Sequence, residues 1–452
     1  MDTAQVRPPL FSNKALVSLT IPIVIDSLFA IMAGMVDSAM VSSAGEAAVS
    51  AVSLVDAINL LILTLISAIC NGGAVVTAQY VGSRNYKNGC VSANQLLYAS
   101  TALAVVFTLI TLFFHNQILY LVYGNIDESV FQDASIYFFY TLLGYPLYAM
   151  GASSTAVLRS MGKTRVATVI VVTCNLVNVA GNALLIFGFH MGAAGAAIAT
   201  TFCRLVFAAM GLVLASNNKF PVHFEKLLQL RLDKHVMRRV LRIGVANGLE
   251  SGLFQVGKLL ITSLVSSFGT IYIAAYSVAS SINNLGWTTI SAFSTAILTV
   301  VGQCIGAGLP EQAKTYTKKY LKVATVLMFT LFGCIFLLRH QVVQLFDFGQ
   351  EALDAAAYYT GFSALCAIFS FYSMSFVPMS AFRAAGDVRY ATTVAIVTMF
   401  AFRVGLCYLL NWLFPSLGLA CVFIGMWADW ICRSILNIFH YRSDKWLKKC
   451  LI

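Results

Sequence analysis

Apolar positions in this chain come in long, nearly unbroken runs, and polar ones are gathered into short stretches between them. Twelve such runs can be marked, at roughly 15–42, 51–80, 93–114, 131–160, 166–189, 192–216, 240–267, 273–304, 319–338, 354–385, 390–414 and 418–441. Each is about as long as the 20 residues a helix needs to cross a bilayer, and several are longer, which predicts tilt or protrusion. Lipid-spanning chains must satisfy every backbone polar group internally. Runs of this length without strict alternation therefore predict helices and not a β-barrel. The first run starts near Ala15 and is too long for the apolar region of a signal peptide, so no cleaved leader is expected.

Composition agrees: 59% of residues are hydrophobic and only 10% charged, against roughly 25% charged in soluble domains. The net charge of +11 would point to nucleic acid in a soluble protein, but here its placement is a topology signal. Arg7, Lys14, Arg84, Lys87, Arg159, Lys163, Arg165, Lys314, Lys318, Lys319, Lys322, Arg383, Arg389, Arg442, Lys445, Lys448 and Lys449 all fall on the side of the N-terminus. So do Lys219, Lys226, Arg231, Lys234, Arg238, Arg239 and Arg242 in the connection between runs 6 and 7. The opposite side carries Glu46, Asp127, Glu128, Asp133, Asp347, Glu351 and Asp354, with Arg339 its one basic residue. Both termini are thus expected in the cytoplasm of a multi-pass protein of the inner or plasma membrane. No nucleic-acid partner is expected, and the basic connection reads as a solvated face near anionic headgroups.

The two halves of the chain repeat each other. Val41-Ser42-Ser43 and Gly45 recur as Val265-Ser266-Ser267 and Gly269, an offset of 224 residues. Ala51, Ser53, Gln79 and Gly82 recur in the same register as Ala275, Ser277, Gln303 and Gly306. Arg159, Gly162, Arg165, Thr168 and Gly181 recur as Arg383, Gly386, Arg389, Thr392 and Gly405. Six spans per half is an even number, so the halves are parallel repeats about an axis along the membrane normal. The expected fold is an all-α integral membrane protein of twelve helices in two pseudo-symmetric six-helix bundles. The expected division is an N-terminal lobe at 1–216, a basic linker at 217–239 and a C-terminal lobe with a short tail at 240–452.

Acids inside the runs are the candidate chemistry, because an unpaired charge in a membrane helix is costly and is usually kept for an ion, a proton or a partner. Asp26 and Asp37 lie eleven residues apart in run 1, close to three helical turns, and so share a face expected to line a cavity. The repeat maps Asp26 onto Glu250 and Asp37 onto Ile261. Asp26 and Glu250 are therefore expected as cavity carboxylates common to both lobes, or as acids that orient helices, with Asp37 the asymmetric working group.

The strings VDSAMVSSAGEAAVSAVSL, AQYVGSRNYKNG, NVAGNALLIFG, GAAGAAIATT and NGLESGLFQVGKLL, in that order across nearly the whole chain, resemble the multidrug and toxic compound extrusion (MATE) transporters. That resemblance implies a two-lobed secondary antiporter that exports organic cations or other toxic compounds in exchange for Na+ or H+. It implies that Asp37 matches the family's span 1 cation or proton carrier. Asn178 and Asn182 match two polar positions in span 5, and Thr200 a span 6 hydroxyl. Some members carry an aspartate where this chain has Asn182, which leaves Asp37 the only acid in this set. Asn178 and Asn182 stand one turn apart, so with Asp37 and Thr200 they offer the oxygen donors a small hard cation wants. No metal other than Na+ at Asp37 is expected, and no cofactor beyond the coupling ion.

The rest is weaker. Met32, Met35 and Met40 flank Asp37, and Tyr140 and Tyr145 open run 4, a surface suited to amphipathic cations or to plain packing. Lys258 is a further intramembrane charge in reach of such a cavity, and Arg403 is expected to pair with Asp429. Arg204 reads as snorkelling or carbonyl-bound. The eleven cysteines lie in apolar runs or cytoplasmic loops, none in zinc-ligand spacing with histidine, and read as small core residues. No phosphate-binding GxxxxGK[ST] or other catalytic motif is present, so no enzyme activity is expected. Expected partners are small cationic amphipathic substrates and membrane lipids, with the chain acting as a monomer. The runner-up reading is a flippase for lipid-linked oligosaccharides, which would bring extra spans and an arginine-rich cavity.

Overall fold

The computed structural model describes residues 8–124, 127–225, 229, 231–346 and 348–452; Arg7, Lys226 and Asp347 lie outside them. Among the described residues every regular element is a helix. Six helices build the first half: α1 Asn13–Ser42, α2 Glu46–Gly82, α3 Tyr86–Tyr123, α4 Glu128–Ser160, α5 Thr164–Asn182 and α6 Gly192–Ala215. The second half holds α7 Lys234–Ser266, α8 Thr270–Gly306, α9 Pro310–Leu337 and the short α10 Arg339–Val343. It continues with α11 Gln350–Phe369, α12 Tyr372–Ala385, α13 Val388–Thr398, α14 Cys407–Leu413 and α15 Ala420–Arg442. Among the described residues, ten segments are long and apolar enough to cross a membrane on composition alone. The 33-residue α4 and α7, which carry more polar and charged residues, complete twelve passes.

Three passes are not plain α-helix. α5 runs on as a wider π-helical segment, Ala183–Gly188. A second π segment, Met399–Leu406, joins α13 to α14 inside one pass. The pass made of α11 and α12 breaks at Phe371, whose φ of 51° is left-handed, a strained setting for a bulky residue. The carbonyl of Ser370 beside the break accepts from Ser434 Oγ at 3.0 Å, so the broken backbone is not left unsatisfied.

The chain forms two compact units, Asn13–Leu249 and Glu250–Leu451, the second of which also takes residues 8–12. The division falls within α7. Its first half belongs with α2 because the two backbones touch: a Cβ built on Gly72 would lie 2.5 Å from Gly244 N. Only glycine allows that approach.

Within the first unit, Pro22 sets the seat of α1. Proline has no N–H, so the carbonyl of Ser18 loses its helical donor. Thr164 Oγ1 takes that carbonyl at 3.5 Å, and Thr168 Oγ1 donates to the carbonyl of Pro22 at 2.8 Å. Two hydroxyls one turn apart thus fasten α5 along α1. An ion pair between buried Asp26 and Arg159 fastens α4 to the same helix. The second unit repeats that pair: Arg383 Nη2 lies 2.5 Å from Glu250, at the same sequence separation of 133.

The glycine contact is directly testable. Gly72→Val should lower stability by roughly 1–3 kcal/mol through overpacking, read as a lower melting midpoint of the detergent-purified protein. Gly34→Ala, with nothing within 4 Å of its added carbon, should leave that midpoint unchanged.

Candidate functional site

The fastening of α5 to α1 brings Asn182 to Asp37. Asn182 Nδ2 donates to Asp37 Oδ1. Asn182 is fully buried, and its side-chain oxygen has no hydrogen-bond donor among the described residues. An oxygen in that state calls for a cation or a proton donor. One turn earlier, Asn178 Nδ2 donates to Thr200 Oγ1 of α6 at 3.4 Å. The four residues singled out from the sequence therefore form two adjacent pairs rather than one closed ring.

A second acid, which the sequence reading passed over, belongs to this group. Asp56 of α2 accepts from Tyr137 Oη at 3.0 Å and from Asn59 Nδ2 at 3.2 Å. Tyr145 Oη donates to Asn59 Oδ1 at 2.6 Å, and Asn59 Nδ2 also reaches Thr141 Oγ1 at 3.3 Å. Arg204 closes the network, with Nη1 donating to the carbonyl of Thr141 at 2.8 Å and its guanidinium 5.8 Å from the Tyr145 ring centre. Asp56 stands close enough to repel Asp37 and to attract Arg204. With all three ionised, the group carries one net negative charge, which a single monovalent cation would balance. The missed signal was an i, i+3 pair, Asp56 and Asn59, in an otherwise apolar run.

The remaining expectations divide. Asp26 and Glu250 are each held by an arginine, as the second of their two readings expects: they tie helices together. Tyr145 is fully buried in the polar network and is not an open substrate surface. Met32 and Met35 are 61% and 69% exposed on α1. Tyr140 is half-buried and lines a cavity of about 470 Å³ with His115, Ser135, Phe139 and Met191, apart from Tyr145. Lys258 is exposed on α7.

In the second unit Arg403 and Asp429 do meet, at 2.8 Å, and Arg433 joins them, also at 2.8 Å. Asp429 is fully buried. Arg403 lies over the rings of Phe254 and Trp430, at 5.3 and 5.7 Å, and Arg433 over Phe376 at 5.2 Å. Two guanidiniums share one carboxylate here, so the sign of the buried charge is reversed relative to the first unit.

Comparison with known proteins bears on both units. A family model described as MatE matches residues 22–184 and 248–409. The Bacillus subtilis protein called "Uncharacterized transporter YisQ" is 23% identical, over 98% of this chain and 97% of its own length. The Thermotoga maritima protein called "Probable multidrug resistance protein NorM" is also 23% identical, over 97% of this chain and 94% of its own. Among solved structures, one described as the outward-facing conformation of a multidrug resistance MATE family transporter superposes with a TM-score of 0.90 at 21% identity, covering 96% of each chain. That fold is twelve helices in two bundles.

Removing the shared acid of the second unit should be severe. Asp429→Asn leaves two buried guanidiniums uncompensated and should cost about 3–5 kcal/mol, seen as loss of folded protein or a large fall in melting midpoint. Replacing Asp429, Arg403 and Arg433 together by apolar residues of like size should recover most of that loss.

Proposed function

The chain belongs to the MatE family, and on that footing we propose that it is a secondary antiporter that exports small organic cations in exchange for Na+ or H+. The names of its relatives support export of drug-like molecules. The observation that carries the coupling reading is the buried Asn182 carbonyl, without a donor among the described residues, beside a carboxylate that has no basic partner among them. Asp37 would be the carrier: it holds the cation or proton together with the oxygens of Asn182, Asn178 and Thr200. Asp56 supplies the second negative charge that the amide at position 182 does not, and Arg204 limits the total to one.

The proposed cycle follows from charge. A cation at Asp37 neutralises the site, and its departure restores a carboxylate able to attract a positively charged substrate. Alternating access by rocking of the two bundles would expose that exchange to each side in turn. No Walker-type phosphate loop is present to draw on ATP, in keeping with an ion-gradient drive. Placement of both termini in the cytoplasm rests on the distribution of lysine and arginine.

Proteoliposomes loaded with a fluorescent organic cation provide the test. Wild-type protein should extrude it under an imposed Na+ gradient or an imposed pH gradient, and the effective gradient identifies the ion. Asp37→Asn should reduce ion-driven efflux to background while the protein still inserts and elutes normally; unchanged efflux would refute the coupling role. Asp56→Asn should retain transport but require a coupling-ion concentration roughly 10–100-fold higher.

A further inference from the structure

The connection between α6 and α7 carries a cluster that transport does not use. It folds back on the first turns of α3. The loop approaches so closely that a Cβ on Gly89 would lie 2.7 Å from Val222. Asn94 grips Glu225 at both backbone atoms, accepting from its N–H at 3.3 Å and donating to its carbonyl at 2.8 Å. This brings together Cys90, His223 and Glu225, with Sγ, a ring nitrogen and a carboxylate oxygen all within 4.8 Å of one another. Separations of more than 130 residues along the chain hid this grouping from any spacing rule.

We propose that Cys90, His223 and Glu225 bind a zinc ion that staples the α6–α7 connection to α3. The ligand set is one thiolate, one imidazole and one carboxylate, which suits a borderline metal and leaves a fourth tetrahedral position for water. The histidine is already oriented for it. His223 Nδ1 lies 3.1 Å from the carbonyl of Phe220, so the proton sits on Nδ1 and Nε2 keeps its lone pair, as outer-shell carbonyls commonly arrange for metal-bound histidines. Nε2 is 3.9 Å from Glu225 Oε1. Tetrahedral zinc with bonds of about 2.0–2.3 Å places its ligand atoms roughly 3.3–3.8 Å apart, so closure needs side-chain movement of about an ångström.

Access and charge also fit. Cys90 is buried, but the Glu225 side chain is 54% exposed and that of His223 20%, so the ion enters from the loop side. The backbone N–H of His223 donates to Cys90 Sγ at 3.5 Å, a contact that a metal-bound sulfur would keep. On binding, the Zn–S bond replaces the S–H bond and the proton leaves to solvent; no oxidation change is involved. On this proposal Cys90 would be a metal ligand, where the sequence led us to expect a small core residue and no metal other than Na+ at Asp37.

Zinc sulfate added to the purified full-length protein, followed by desalting and elemental analysis, provides the test. One zinc per chain should be retained by the wild type and by Asp37→Asn, and lost in Cys90→Ser and in His223→Gln. Cobalt substituted for zinc should give a thiolate-to-cobalt absorption band that Cys90→Ser abolishes. Glu225→Gln should weaken zinc binding about tenfold or more. Circular dichroism and size-exclusion elution matching the wild type establish that the variants are folded. Absence of zinc from the wild type, or equal retention by folded Cys90→Ser, overturns the proposal.

Discussion

A carboxylate inside a membrane bundle must be matched by something, and in this chain the choice of match divides scaffold from site. Asp26, Glu250 and Asp429 are each matched by arginine, a partner that stays charged at any pH a cell meets. Such pairs hold helices in register and have nothing to release. Asp37 is matched by an amide and Asp56 by a phenol and an amide. These neutral groups orient a carboxylate without cancelling its charge, which leaves room for a mobile cation. The polar geometry of the first unit follows from that distinction once the hydroxyls of Thr164 and Thr168 have pinned α5 to α1 and delivered Asn182.

The two units use one scaffold to opposite electrostatic ends. Their arginine–carboxylate ties recur at identical sequence separation, 133 residues in each, as a duplicated framework requires. Their polar centres do not recur. The first gathers two acids and one arginine; the second gathers two arginines and one acid. Duplication therefore accounts for the framework, while the buried charge of each half has diverged. The π-helical segments mark where: Asn182 immediately precedes one, and Arg403 lies inside the other. Such segments concentrate at functional sites in helical proteins.

Much of this was legible in the residues alone, for physical reasons. Twelve passes follow from run length, because hydrocarbon thickness sets a minimum that the chain must meet twelve times. Asn178 and Asn182 were reached through the family resemblance, and their spacing of one helical turn agreed with a shared face. Asp26 and Glu250 were found, but their partners were not, since Arg159 and Arg383 lie at helix ends and read equally well as loop charge. Asp56 was overlooked because a lone acid early in a span resembles a boundary residue until Tyr137 and Asn59 are seen to hold it. Arg433 stands four residues after Asp429 on α15, an i, i+4 pairing that went unread, whereas the Cys90–His223–Glu225 cluster depended on packing between distant segments, which no local pattern encodes.

The π segment after Asn182 has a consequence for how such a protein can change. Each residue of an α-helix turns the next by about 100°, and a π segment locally accommodates a residue that regular winding would not. Removing a single residue from Ala183–Gly188 would let the helix wind regularly with its two flanks facing as they do now, whereas removing one from the regular turns of α5 would rotate one flank against the other by that angle. The widened turn is therefore a stretch where this pass can lose a residue and still keep Asn178 aimed at α6 and Asn182 at α1.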